Sequence, residues 1–196
     1  DVSSPIPEFH LINENKIVNS KKIVQNIDQK LSDNIIPAYI EIDNTYNLFN
    51  NITKLIITIG PGSYTALRVG ASFISGISYS MDLPIAVIST ETIYNFIYEK
   101  NKQIGIYFES SNNQKFFSYK KDLIFFHEKI ENSDYLLSDS ISHVFYNTNA
   151  PEFINKEIIT HFYSLREIVL KNLKKLNFKK NIIIKPIYIS NNILLN

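Results

Sequence analysis

The chain has 196 residues, room for one large domain or two small lobes, and 44% of them are hydrophobic, enough to build a core. Its formal charge of +1 gives no global basic field that would point to nucleic acid or a membrane surface. The absence of cysteine excludes a disulfide framework, a thiolate metal site and a cysteine nucleophile, and it fits a reducing cytosol.

The chain opens on Asp1-Val2-Ser3-Ser4 rather than on methionine, so residues upstream are expected to be missing and a strand ending here to be cut short. Glu8 to Ile12 and Lys16 to Ile23 read as two strands of a hairpin around Asn13-Glu14-Asn15. Ser32 or Asp33 can cap a helix reaching to about Asn50, with Pro37 near its first turn. Its apolar residues occupy two faces: Ile35, Tyr39, Ile42, Tyr46 and Phe49 form one stripe, while Ile36, Ile40 and Leu48 lie off it. A second apolar face predicts a partner.

Lys54 to Ile59 is a β-branched run that stops at Gly60-Pro61-Gly62-Ser63. Three of the chain's five glycines lie between Gly60 and Gly70, so a tight backbone is required there. A helix follows from Thr65 to about Met81, kept thin by Ala66, Gly70, Ala71, Ser72, Ser75, Gly76 and Ser78, a composition that lets another helix approach closely. Pro84 to Ile88 is the next strand, and Ser89 caps a helix to Lys100. Strand–helix–strand–helix order predicts an α/β architecture with a parallel portion. Further on, 103–108, 114–119, 123–127 and 142–146 read as strands, 163–176 as a helix and 182–189 as extended chain. A boundary near residue 101 divides the chain into lobes 1–100 and 101–196, with the last helix able to return to the first lobe.

No apolar run reaches the roughly 20 residues that span a bilayer, and none reads as a signal peptide. Asn and Lys are so common that they carry little information, a bias of AT-rich coding. A Gly-Pro-Gly-Ser turn before a helix is able to bind an anion at the helix N-terminus, or it is simply a turn that needs glycine. It is no P-loop, since no Gly-Lys-Ser/Thr follows. Asp1-Val2-Ser3-Ser4 is similar to the first-strand phosphate motif of actin-like ATPases and sugar kinases, but a nucleotide cleft also needs a second glycine-rich turn, and after Gly76 only Gly105 remains. His10, His127, His143 and His161 show no metal-ligand spacing. Ser63 stands in no nucleophile elbow. Arg68, one turn into the helix, suits a carboxylate or phosphate clamp or a surface ion pair. Lys171, Lys174, Lys175, Lys179 and Lys180 form a basic end that reads as a solvated face or as an RNA contact.

The segment Gly60-Pro61-Gly62-Ser63-Tyr64-Thr65-Ala66-Leu67-Arg68-Val69-Gly70 resembles the signature of the bacterial TsaB (YeaZ) family, Gly-Pro-Gly-Ser-Phe-Thr-Gly-Leu-Arg-Ile/Val-Gly, with Tyr64 for phenylalanine and Ala66 for glycine. Asp1-Val2-Ser3-Ser4-Pro5 resembles that family's opening Asp-Thr-Ser-Thr/Ser-Pro, and Leu31 to Pro37 its His-Ser-x-x-Leu-Leu-Pro, without the histidine. Leu83 to Thr92 is similar to its Pro-x-x-Gly-Val-Ser-Ser-Leu-Glu, and Pro186-Ile187-Tyr188-Ile189 to its closing Pro-x-Tyr-Leu. Beyond residue 100 the resemblance thins: Phe108-Glu109-Ser110-Ser111 stands where the family has Asp-Ala-Arg.

The resemblance implies a two-lobed α/β fold of the actin-like ATPase (ASKHA, ribonuclease H-like) class. It implies a cytoplasmic, non-catalytic subunit in the synthesis of threonylcarbamoyladenosine on tRNA. Such a subunit pairs with a TsaD-like catalytic subunit, works with a TsaE-like ATPase, pairs with itself when alone, and meets tRNA only through the complex. No catalytic residue, metal or cofactor is expected, and a nucleotide at the subunit interface is left open. The signature turn is Gly60, Pro61, Gly62, Ser63 and Arg68. The expected partner interface is Ile35, Tyr39, Ile42, Tyr46, Leu67, Gly70, Ala71 and Ile74. The rival readings are a phosphotransferase or peptidase using Asp1 and the Gly60–Ser63 turn, and an RNA-binding module using the lysine-rich end.

Overall fold

A computed structural model describes residues 1–26, 28–98, 102–111, 113–131, 135, 137, 140–152 and 157–189. Strands β1 (Glu8–Asn13) and β2 (Lys16–Lys22) form the expected antiparallel hairpin, turning through Glu14 and Asn15, both at positive φ. The first helix is shorter than the sequence suggests. α1 runs Leu31–Tyr46, Asn47 turns left-handed at φ 49°, and a four-residue α2 (Leu48–Asn51) follows. Asparagine adopts that conformation at low cost, which stops the helix. The expected cap is also corrected: Lys30 occupies the N-cap, while Ser32 and Asp33 lie in the first turn bonded to each other. Pro37 sits deeper than the first turn, where it removes the bond to the Asp33 carbonyl.

β3 (Leu55–Thr58) and β4 (Ile85–Ile88) pair in parallel across the crossover helix α3 (Tyr64–Met81). β3 alternates its burden: Leu55 and Ile57 join the core formed with Leu31, Ile35, Ala38 and Leu67, while Ile56 packs on the other face. α4 (Thr90–Ile97) begins with a capping box, in which Ser89 accepts from the Thr92 backbone and Thr92 answers with its hydroxyl.

The remaining strands form one five-stranded sheet, ordered β7 (Ile124–Ile130), β6 (Lys115–Lys121), β5 (Ile104–Glu109), β8 (His143–Tyr146) and β9 (Ile159–Phe162). β9 was not legible: only Ile159 and Phe162 are apolar in Ile-Thr-His-Phe, they fall on opposite faces of the strand, and both are exposed. The expected helix over 163–176 is α5 (Leu165–Lys171) followed by a 3₁₀ turn. α4 and α5 pack with β5 and β6 around Ile104, Ile106, Phe108 and Phe116. The last helix thus joins this second core. What returns to the first sheet is the extended chain after it: Lys179 bridges Ile85, and Ile187 donates to the Ile59 carbonyl at 2.8 Å.

Candidate site at the glycine turn

The β3 run ends where Gly60 turns at φ 93°, a conformation that L side chains rarely adopt. Crowding forbids a side chain there as well: a Cβ on Gly60 would lie 2.7 Å from Leu67 Cδ1 and 3.1 Å from the Ile187 carbonyl oxygen. The Gly60 carbonyl accepts the backbone N–H of Thr90 at 3.1 Å, so this turn ties α3 to α4. Ser63 is buried and passes its carbonyl to Leu67 N–H at 3.0 Å; its side chain makes no cap bond.

Residues 1–4 lie directly beneath. Gly62 has Ser3 as its nearest neighbour, at 3.5 Å from where a Cβ would stand. The Asp1 carboxylate accepts from the Ser3 amide at 3.0 Å, the Ser3 hydroxyl at 3.1 Å, the Ser4 amide at 3.3 Å, the Thr58 hydroxyl at 3.0 Å and, closely, the Ser4 hydroxyl. Val2 N–H donates to Thr58 Oγ1 at 2.9 Å. Val2 itself is buried, with its branched carbons pressed on Gly70 of α3. The site is therefore a socket in which the first four residues are clasped by a strand end and a glycine turn. The roles of Thr58 and Val2 escaped the sequence reading; the one hint was a threonine set within an isoleucine run.

On the outside of the turn, Tyr64, Arg68 and Tyr188 form an exposed group. The Tyr64 and Tyr188 rings stand 4.5 Å apart, and Arg68 Nη1 donates to the Tyr64 hydroxyl at 3.0 Å with its guanidinium 5.0 Å from that ring. Arg68 thus makes a cation–π contact with Tyr64, and among the described residues no ion pair is seen for it. Among the described residues, no three His, Cys, Asp or Glu side chains gather as a metal set. His10 bonds Ser20 at 2.9 Å and His127 bonds Ser118 at 2.8 Å. Burial holds both imidazoles down at about 4, helped at His10 by the N-terminal charge and Arg166. At the lysine-rich end, Lys180 pairs with Asp82 and Lys175 lies 6.0 Å from the Phe96 ring.

The structure turns the expected interface residues inward. Ile35, Ile42, Leu67, Gly70 and Ala71 are buried in the chain's own core. Tyr39 and Ile74 are half-buried beside Phe73, with the Tyr39 and Phe73 rings 5.4 Å apart, and Tyr46 accepts from Asn19 at 3.0 Å. These side chains, expected to meet a partner, are taken up within the chain itself, and the denser apolar stripe of α1 is the one that seats on β3. The residues left outside include Ile36 and Ile40 on α1, at 55% and 50% exposure, and Ser72, Gly76 and Tyr79 on α3.

The family model described as "TsaD: tRNA N6-adenosine threonylcarbamoyltransferase" matches residues 18–175. A Bacillus subtilis protein named tRNA threonylcarbamoyladenosine biosynthesis protein TsaB is 35% identical over 40 residues, a match spanning 20% of this chain and 18% of that protein. Among solved structures, YeaZ from Pseudomonas aeruginosa aligns with a TM-score of 0.57 over 91% of this chain and 92% of its own, at 9% identity. A crystal structure of a Pseudomonas aeruginosa protein titled as similar to peptidase YeaZ aligns at 0.62 over 96% of each chain, at 11% identity. No helix among the described residues is long and apolar enough to cross a membrane. The chain belongs to the family that the TsaD model describes, and its likeness within reach of these comparisons is to TsaB (YeaZ) in sequence and in fold.

Proposed function

We propose that this chain is a non-catalytic subunit in the synthesis of threonylcarbamoyladenosine on tRNA, built as two ASKHA-type lobes and pairing with a TsaD-like catalytic subunit. The match to the TsaD family over residues 18–175, together with the YeaZ fold, carries the reading. The local chemistry favours a supporting role: the Asp1 carboxylate is taken up by Ser3, Ser4 and Thr58, and Ser63 is buried. The proposed docking surface is the outer side of α1 and α3. Ile36 and Ile40 supply the exposed apolar contact, and Ser72 and Gly76 allow a helix to come close. Ile35, Tyr39, Ile42, Tyr46, Leu67, Gly70, Ala71 and Ile74 act in this reading as the frame that holds the two helices side by side. Self-pairing through the same surface, work with a TsaE-like ATPase, and contact with tRNA only through the complex belong to the same proposal.

The test is co-purification with the TsaD-like subunit of the same cell, followed by threonylcarbamoyl transfer to tRNA. Ile36→Asp with Ile40→Asp is expected to abolish pairing and transfer while the melting temperature stays within about 2 °C, since both side chains are exposed. Intact pairing in that variant, or full transfer by the catalytic subunit without this chain, overturns the proposal.

A further inference from the structure

The outer edge of β4 is only partly covered. Leu55 N–H bonds the Pro84 carbonyl and Ile59 N–H bonds the Ile88 carbonyl, so residues 84, 86 and 88 present their backbone groups to β3. Ile85 and Val87 present theirs to the opposite side. Ile85 donates to the Lys179 carbonyl at 2.8 Å and accepts from the Lys179 N–H at 3.0 Å, the hydrogen-bonded pair of an antiparallel ladder. The next such pair would join Val87 to Asn177, two residues on along each chain. Among the described residues that pair is not made; the chain has only just left the 3₁₀ turn Leu173–Lys175 there. Val87 is left exposed, with one backbone donor and one acceptor side by side.

In the gap lies a pocket of about 320 Å³ between β4, α4 and the chain that follows the 3₁₀ turn. That is the lower end of the roughly 300–1,000 Å³ that small-ligand sites occupy. Its walls divide by chemistry. The half-buried Phe96 ring of α4, with Leu176 and Ile182, supplies an apolar side. Lys175 stands 6.0 Å from the centre of that ring, and Lys179 brings a second ammonium. No Asp or Glu lines the pocket, and among the described residues neither lysine has a carboxylate partner. Asn95 and Asn177 add side-chain amides. No residue of 1–4, of the glycine turn, of α1 or of α3 takes part, so this pocket is separate from the socket and from the proposed docking surface.

We infer that this pocket takes a nucleoside 5′-monophosphate. Three requirements meet in that ligand. Two cations without a counter-charge attract an anion. An exposed face of an aromatic ring accepts a stacked base. A strand-edge N–H and C=O side by side match the neighbouring acceptor and donor that every nucleobase carries on its edge. The base edge therefore bonds Val87, one base face lies on Phe96, and Lys175 swings from the ring to join Lys179 on the phosphate. An inorganic anion would use only the lysines, and an apolar ring only Phe96 and its neighbours. A free nucleotide and the phosphorylated end of an RNA strand share the full chemistry.

The experiment titrates the full chain with UMP and AMP, and with 5′-phosphorylated pentauridylate and pentaadenylate, by calorimetry and by amide NMR. At least one of these probes is expected to saturate a single site with a dissociation constant below about 1 mM and to shift the Val87 amide resonance. It should bind at least tenfold tighter than inorganic phosphate and than the matching nucleoside. Lys175→Gln with Lys179→Gln is expected to weaken it at least tenfold while the melting temperature stays within about 2 °C, since both lysines are exposed. A pentamer that binds tighter than its mononucleotide assigns the pocket to an RNA end; equal or weaker binding assigns it to the free nucleotide. Saturation by none of the four probes below about 1 mM, phosphate binding as tight as nucleotide binding, an unmoved Val87 amide, or unchanged affinity in the double lysine variant overturns the inference.

Discussion

The same substitution at two glycines of one helix tests the socket most sharply. A methyl group at Gly70 would lie 2.7 and 2.8 Å from the γ-carbons of Val2 and 3.2 Å from its β-carbon. Carbon atoms prefer about 3.5–4.0 Å, so one partner must move by close to an ångström. Val2 is buried and β-branched, held to one rotamer, and its backbone is anchored to Thr58. Overpacking of this kind costs about 1–3 kcal/mol. Replacing glycine by alanine inside a helix returns about 1 kcal/mol. Gly70→Ala is therefore expected to be neutral to destabilising by about 2 kcal/mol. At Gly76 an added methyl meets nothing within 4 Å, so Gly76→Ala keeps only the helix gain and stabilises by about 1 kcal/mol. The two variants should lie about 1–3 kcal/mol apart in urea unfolding. At about 2–4 °C per kcal/mol for a chain of this size, that is at least about 2 °C in melting temperature. Val2→Ala placed on Gly70→Ala should relieve the clash, so the double variant is more stable than the sum of the singles predicts. Equal stabilisation at Gly70 and Gly76, or additivity within about 0.5 kcal/mol, would refute the packing of residues 1–4 against α3.

Acid should weaken the fold before its carboxylates titrate. The folded chain keeps His10 and His127 neutral down to about 4, while an unfolded histidine takes its proton near 6.5. The unfolded state thus binds more protons in that window, so the stability these two histidines contribute is full above about 6.5 and falls as pH drops. The urea midpoint should fall between pH 7 and 5, and more gently after His10→Gln with His127→Gln; a midpoint that holds steady or rises on acidification rejects the assignment. Glu128 accepts from the Tyr119 hydroxyl at 2.8 Å and, closely, from that of Tyr135. Glu128→Ala should cost about 1–3 kcal/mol by removing the shared acceptor of two hydroxyl bonds, and an unfolding midpoint equal to that of the parent chain would show the pair to be idle.

Much of the first half was legible because its signals are local. A β-branched run, a glycine-bearing turn and a small-residue helix fix β3, the socket and α3 within a few residues of one another, and Ser89 announces α4 by a cap that needs only Thr92. What misled was the choice between two apolar faces of α1. Ile35, Tyr39 and Ile42 and the outer pair Ile36 and Ile40 are chemically alike, and only the position of β3 decides which row is covered. β9 was silent for the same reason: a four-residue strand at the sheet edge, with two polar residues of four, has no period to detect. The role of Val2 beside Gly70 depends on contacts between residues far apart in sequence, which no window along the chain contains.

The socket also bears on why the Asp1 carboxylate acts as a clasp. An ionised carboxylate offers about four lone-pair positions, and Asp1 already receives four donors on Oδ1 and the Ser4 hydroxyl on Oδ2. A cation or a phosphate-bound water drawn to Oδ1 would have to displace some of them, and hydrogen bonds to a charged group contribute about 1.5–3 kcal/mol each. Those bonds have a structural consequence that a ligand would undo. They curl residues 1–4 so that Ser3 lies under Gly62 and Val2 under Gly70, and Thr58 links the same carboxylate to β3. Gly70 thus answers to Val2 and Gly60 to Leu67 and Ile187, while at Gly62 a Cβ would make ordinary contact with Ser3 at 3.5 Å. The chain's own atoms crowd Gly60 and Gly70 and so fix the shape of the motif, and on the rim where the turn meets solvent stand Tyr64, Arg68 and Tyr188.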